Sequence, residues 1–343
     1  MAQSFHPSRP LRILFAGTPA IALPAFRMIA EGALAENPSW TLAGVLTNPD
    51  KPRGRSGRAE PSVIGLAAAA LGETFTARKL AAPVLLKPDA LKTKEREAAA
   101  ALGADLLVAF AYGRIFGPKF LGLFPLGGIN VHPSLLPKYR GASPIQEAIL
   151  RGDTLTGVTI QRIALEMDSG NILARCEIRL TGREHTAALT ETASREGADL
   201  LQRVLERIRQ TGEGVLKGTP QEGEASYCSL ITKESGLIDW TRSARDIDAQ
   251  IRAYNPWPLT RTCHNGQILH ILKAENQDPP HTVPAPCPGR VLGIDKKSGI
   301  LIQTGRGILA VSLLQYQNRN ALPWQNFLNG ARDFIGSCLT GGS

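Results

Sequence analysis

The sequence has little cysteine: five residues in 343, at positions 176, 228, 263, 287 and 338. The count is odd and no two stand in a CxxC spacing. That argues against a zinc or disulfide framework and for reduced thiols in a cytosolic protein. No apolar run approaches the ~18 residues needed to span a bilayer. The opening MAQSFHPSRP lacks the apolar core of a secretion signal and the regularity of a transit helix. There is no GxGxxG. The first strand-like run ends instead in Gly17-Thr18-Pro19, where proline removes a backbone donor that a phosphate cradle would use, so a tight turn lining a cleft is favoured over a dinucleotide site. Repeats and low-complexity tracts are missing as well. Acidic residues are outnumbered, 30 against 39 Lys and Arg, for a net charge of +9. The surplus suits an anionic partner, either nucleic acid or a polyanionic small molecule, and equally a basic surface with no special ligand.

Two domains are expected at this length. LRILFAG (11–17), WTLAGVLTN (40–48), ADLLVAFAYG (105–113) and LGGINVH (126–132) are predicted as buried strands. TPAIALPAFRMIAEG, EPSVIGLAAAALG and KTKEREAAAALGA have helical spacing. Strand alternating with helix implies a parallel sheet covered on both faces. Two strands joined through a loop are predicted over 157–180, then a long amphipathic helix over 186–214. From about residue 225 the strands shorten. Asn265-Gly266 between alternating runs marks a hairpin, the pattern recurs twice over 289–315, and PWQNFLNGARDFI closes the chain as a helix. The tail is read as a small β-barrel. The chain thus divides into a domain over 1–208, a Gly- and Glu-rich linker over 209–225 and a second domain over 226–343.

Asn130 and His132 close a buried strand within NVHPSLLPKYR. At i, i+2 they project from one face, roughly 7 Å apart, at the carboxyl end where open α/β sheets hold ligands. Asn offers an uncharged donor to a developing oxyanion, and His exchanges protons near neutral pH. The competing role is to pin the SLLP turn. Asp168, in EMDSGNIL, either steadies an imidazole or bonds its own backbone ahead of Gly170. NPDKPRGRSGR (48–58) carries Lys51, Arg53, Arg55 and Arg58 against Asp50, a basic loop suited to phosphate contact or simply solvated. YNPWP (254–258) either stacks on a base or packs the barrel, and Trp240 is expected in a core. No cluster of metal ligands stands out.

Taken together, LRILFAGTP, INVHPSLLPKYRGASPIQEAILRGD, GVTIQRIALEMDSGNIL, GLIDW and IRAYNPWP make the chain resemble the methionyl-tRNA formyltransferase family from residue 11 nearly to its end. The resemblance implies a Rossmann-like formyltransferase domain followed by an OB-like domain that lies along tRNA. It implies 10-formyltetrahydrofolate as co-substrate, without a metal, and initiator methionyl-tRNA as acceptor in translation initiation. The family's catalytic Asn, His and Asp fall on Asn130, His132 and Asp168. Its folate-contacting block falls on Ser134, Leu135, Leu136 and Pro137. Its tRNA-contacting loop falls on 48–58, with Arg55 at the key position. In that chemistry an amine attacks the formyl carbon, Asn130 and protonated His132 hydrogen-bond the resulting oxyanion, and Asp168 stabilises the charged ring and helps a water remove the amine proton. Pro133 and Ser143 depart from the family's usual small residue and Ala. A cytoplasmic monomer is expected.

Overall fold

The computed structural model describes residues 9–52, 57–211, 216–277 and 287–341. The chain gathers into two compact units. Met1–Pro144, Leu155–Arg179 and Thr190–Cys228 form the first, and Ile145–Thr154, Leu180–Leu189 and Ser229–Ser343 form the second.

In chain order the elements begin with β1 (Leu11–Gly17), α1 (Leu23–Ala33), β2 (Trp40–Leu46), β3 (Lys51–Pro52), β4 (Ala59–Glu60), α2 (Val63–Ala77), β5 (Val84–Leu86) and α3 (Thr93–Ala101). Next come β6 (Leu106–Phe110), α4 (Pro118–Leu121), β7 (Gly128–His132), β8 (Arg140–Gly141), α5 (Pro144–Arg151), β9 (Leu155–Arg162), β10 (Ile172–Arg179), α6 (Thr186–Thr211) and β11 (Tyr227–Cys228). The first unit is built on a seven-stranded sheet in the order β10-β9-β7-β6-β1-β2-β5. From β7 to β5 the strands run parallel, as the alternating pattern predicts. β9 pairs antiparallel with both β7 and β10, so the sheet is mixed at that edge. The loop from β9 to β10 holds no crossover helix, and a direct connection returns a strand antiparallel.

Side-chain alternation sends neighbouring residues of β1 to opposite faces. Leu14 and Ala16 join Ala99 of α3 and Phe120 of α4 in one core layer. Phe15 faces the other way and meets Phe26 of α1 with ring centroids 5.5 Å apart. Gly197 of α6 lies over Val131 and Phe110 on a face of the same sheet. Helices therefore cover the sheet on both sides, and the centre of β7 is buried between them.

The second unit contains α7 (Ala244–Tyr254), β12 (Thr260–His264), β13 (Gln267–Gln277), β14 (Val291–Asp295), β15 (Gly299–Gln303), β16 (Ile308–Tyr316), β17 (Leu322–Pro323) and α8 (Trp324–Gly330). Its antiparallel sheet runs β12-β13-β16-β15-β14, with β17 on β16. The Asn265-Gly266 turn forms as predicted, with φ of 49° and 76°, values that the two-residue hairpin demands. The terminal segment 336–340 lies between the two outer strands. Thr340 exchanges backbone hydrogen bonds with Cys263 of β12, Leu339 N donates to Gly289 O (2.8 Å) and Val291 N of β14 donates to Ser337 O (2.9 Å). That segment bridges both outer strands of the antiparallel sheet and forms the seam between them. Trp240 is 4% exposed in this core, as expected, whereas Trp257 is 54% exposed and turns outward between Pro256 and Pro258.

Candidate active site

β7 carries Asn130 and His132, and its register sets Asn130 opposite Gln161 and His132 opposite Thr159 of β9. Asp168 arrives from the β9–β10 loop. Its backbone is left-handed, with φ of 51°, a conformation that Asp tolerates better than most residues. The loop can fold back because Gly170 passes close to the chain it left. A Cβ there would collide with the carbonyl oxygen of Arg162. Gly141, with φ of 114°, makes a similar approach to the carbonyl oxygen of Cys228.

These constraints bring all three residues together. Asp168 Oδ1 accepts from Gln161 Nε2 (2.7 Å) and from Asn130 Nδ2 (3.4 Å). Its Oδ2 accepts from the Gly141 backbone N–H (2.9 Å) and stands 3.6 Å from His132 Nδ1. The carboxylate does not bond its own backbone as an isolated turn Asp would. It is the hub of the site. His132 is 4% exposed, and its Nε2 lies 2.9 Å from the carbonyl oxygen of Tyr139. A carbonyl only accepts, so Nε2 carries the hydrogen and Nδ1 is the ring atom turned to Asp168. Asn130 donates one amide hydrogen to Asp168. Its second finds no partner among the described residues and is the uncommitted donor of the trio.

Three contributors carry no local signal of their own. Gln161 lies directly across from Asn130, and its place on the alternating strand GVTIQRI was the one available clue. Gln221 Nε2 donates to the carbonyl oxygens of Asp168 (2.7 Å) and Gly170 (2.9 Å), while its Oε1 accepts from Arg140 Nη2 (2.8 Å). The Gly141 N–H is a backbone group, invisible to a search for side chains. Arg140 further lies over the ring of Tyr227, 5.9 Å from its centroid.

The SLLP turn is partly inward. Ser134 is fully buried, its hydroxyl donates to Lys138 O (2.6 Å), and its carbonyl accepts from Thr159 Oγ1 (2.7 Å). Leu136 is 1% exposed and its N–H donates to Thr159 Oγ1 (3.2 Å). Leu135 and Pro137 are half-buried and are the two members with surface to offer a ligand. Of the basic stretch, Arg53 and Arg55 lie outside the described residues, while Lys51 and Arg58 are exposed. β3 and β4 pair as a two-stranded ribbon that sets Lys51 opposite Glu60. The ribbon is anchored where Arg114 Nε donates to Asn48 Oδ1 (2.7 Å) and Asn48 Nδ2 donates to Tyr112 O (3.1 Å). Among the described residues no three His, Cys, Asp or Glu side chains gather as a metal site, and no helix is long and apolar enough to cross a membrane.

Comparison with known proteins adds to this geometry. A family model described as formyl transferase matches residues 14–205, and one described as formyl transferase, C-terminal domain, matches residues 230–332. The methionyl-tRNA formyltransferase of Treponema denticola is 45% identical over 335 residues, which is 95% of this chain and 98% of that protein. That of Borreliella afzelii is 38% identical over 340 residues, 96% of this chain and 98% of that protein. Among solved structures, the sugar 3N-formyl transferase WlaRD superposes with a TM-score of 0.59 at 17% identity, covering 91% of this chain and all of that one (100%). The methionyl-tRNA formyltransferase of Clostridium thermocellum superposes at 0.50 and 15% identity, covering 78% of this chain and 94% of that one. The two solved structures share the fold.

Proposed function

The chain belongs to the methionyl-tRNA formyltransferase family, and from that premise we propose that it moves the formyl group of 10-formyltetrahydrofolate to the α-amine of methionine on initiator tRNA, with Asn130, His132 and Asp168 at the reacting centre. The observation that carries the site assignment is their convergence: a carboxylate 38 residues from Asn130 and 36 from His132 meets both polar residues of β7.

The folate supplies the formyl carbonyl. Attack by the amine develops negative charge on its oxygen, and the free amide hydrogen of Asn130 is the preorganised donor for that charge. One such donor contributes about 100- to 1000-fold in rate. Asp168 aims the amide by accepting its other hydrogen. His132 works from Nδ1, since Nε2 is committed to Tyr139 O. A proton gained at Nδ1 sits beside the Asp168 carboxylate, and Asp168 also serves a water that removes the amine proton; collapse of the tetrahedral adduct then breaks the bond between the formyl carbon and the folate nitrogen, which takes up a proton and leaves as tetrahydrofolate. Leu135 and Pro137 give the folate an apolar edge, with Ser134 and Leu136 holding the turn beneath. Lys51, Arg53, Arg55 and Arg58 contact the tRNA acceptor end through phosphates, and the domain over 226–343, with 12 Lys and Arg against 8 Asp and Glu, lies along the tRNA body. The catalytic domain is assigned to 1–208 and the connection to 209–225, a connection whose stretch from 216 onward also folds onto the Asp168 loop. The enzyme works in the cytoplasm, as a monomer, without a metal.

The decisive experiment follows formyl transfer from 10-formyltetrahydrofolate to initiator methionyl-tRNA by wild type, Asn130→Ala and His132→Ala. Transfer by wild type with a loss of at least ~100-fold in Asn130→Ala supports the acceptor and the oxyanion role together. Transfer to a small amine and not to charged tRNA would replace the acceptor. Arg55→Ala is expected to raise the tRNA concentration needed for half-maximal rate while leaving folate dependence alone, with steep salt sensitivity in wild type.

A further inference from the structure

Two of the five cysteines flank the junction between Arg290 and the terminal segment of the second unit. Cys338 stands in the terminal segment, opposite Arg290 in an antiparallel bridge. The flanking hydrogen bonds, Leu339 N to Gly289 O and Val291 N to Ser337 O, fix that pairing. Cys287 returns to the same place through a turn in which Arg290 N donates to Cys287 O (3.1 Å). The Cys338 thiol lies 4.0 Å from the carbonyl oxygen of Pro288, the residue next to Cys287, so the turn brings the two cysteines alongside each other. Cys338 is exposed and Cys287 half-buried, so small reagents reach the pair. The other cysteines differ. Cys228 is buried, with its sulfur directed at the Tyr139 and Arg140 carbonyls. Cys176 lies in β10, far along the chain in the first unit, where burial pushes its thiol up. Cys263 pairs through its backbone with Thr340 on the far side of the segment.

We propose that Cys287 and Cys338 are a modification site: a vicinal pair that closes reversibly to a disulfide and staples the terminal segment into the barrel seam. The oxidant is a small disulfide such as oxidised glutathione. One protein thiol loses its proton and the thiolate attacks a sulfur of that disulfide, releasing one small thiol and leaving a mixed disulfide. The second protein thiolate attacks the protein sulfur of the mixed disulfide, forms the Cys287–Cys338 bond and releases the second small thiol. Two protein thiols are oxidised and one small disulfide is reduced. The Arg290–Cys338 bridge and the Cys287–Arg290 turn already set the two cysteines side by side, so closure to the ~2.05 Å bond asks for side-chain adjustment and no change of fold. Burial pushes the Cys338 thiol up, as does its contact with Cys287, which makes the reaction faster at alkaline pH.

The test treats the full chain with oxidised glutathione at pH 7 and 8.5, blocks remaining thiols by alkylation after unfolding, and maps peptides by mass. The expected result is one cross-link, Cys287–Cys338, formed faster at the higher pH, with Tm raised by several degrees and returned by dithiothreitol. Cys287→Ser and Cys338→Ser, each melting like reduced wild type, should both lose the cross-link and the Tm shift. Formyl transfer by reduced Cys287→Ser should match wild type. A stable glutathione adduct on either cysteine with the other still free, or a Cys263–Cys338 link in its place, would overturn the proposal. So would a cross-link with no change in Tm, because the staple would then constrain nothing.

Discussion

The second unit assembles mostly from elements adjacent in sequence, and the reacting centre of the first assembles from residues far apart. Asn265 and Gly266 turn β12 directly into β13, and β14, β15 and β16 follow as consecutive hairpins. Around Asp168, in contrast, the donors come from β7, β9, the end of β8 and a segment beyond α6, with separations of up to 53 residues. The two regions fail differently when perturbed. A local hairpin or apolar core loses stability in proportion to what is removed. A convergent carboxylate loses function first, because the donors gathered there are oriented by it and the sheet beneath does not depend on it.

The sharpest way to break that contrast is Asp168→Asn. Asn keeps the left-handed backbone but presents an amide to Asn130 and Gln161, which are donors themselves. Transfer should fall by about 100- to 1000-fold while Tm moves little. Single-turnover transfer paired with thermal melting reads both, and a melt that collapses along with the rate would erase the distinction. The mirror experiment is Leu309→Ala, a fully buried position in the second core. It should lower unfolding free energy by about 2–5 kcal/mol in denaturant titration, with the single-turnover rate unchanged while the chain remains folded.

Gln221→Ala tests the long-range support. Removing the amide leaves the carbonyls of Asp168 and Gly170 without their donor, a change of about 1–1.5 kcal/mol. The expected cost is about tenfold in rate at saturating substrates, and an unchanged rate would reduce Gln221 to packing. A pH effect belongs to the second unit. His185, His264 and His270 all have pKa values lowered from the usual histidine range, in each case first by burial. The His264 Nε2 is buried without a partner among the described residues. Folding favours the neutral rings, so the unfolded chain takes up protons below about pH 6.5 and stability drops as pH falls through that value. Melting at pH 7.5 and 5.5 should show a lower Tm in acid, and a flat profile would argue against it. The smallest effect should come from Gly266→Ala. It places a Cβ at φ of 76° and should cost about 1 kcal/mol, measured by denaturant unfolding.

The same contrast decides what the sequence could disclose. Hairpins announce themselves through Asn-Gly and alternation, and the buried strands of the parallel sheet through unbroken apolar runs. Asn130 and His132 were legible because they interrupt such a run at a sheet edge. The hub role of Asp168 was not, since its local context, an Asp two residues before Gly170, reads equally well as a turn. Gln161 and Gln221 share that limitation: glutamine has no charge to betray it, and only the fold shows which glutamine faces a carboxylate. The antiparallel edge was open from sequence to the extent that 157–180 reads as two strands. Their direction followed from the connection between them, which no residue states.

Gln221 has a practical consequence for anyone cutting the gene. The stretch from 216 to 228 bridges Ile172 through Thr219, pairs β11 with β8, and supplies the amide that holds the Asp168 loop. A shortened protein ending at the close of α6 would keep every strand of the large sheet and all three reacting side chains. It would still lack the clasp that sets their angles. An economical catalytic fragment therefore has its earliest stop codon after Cys228.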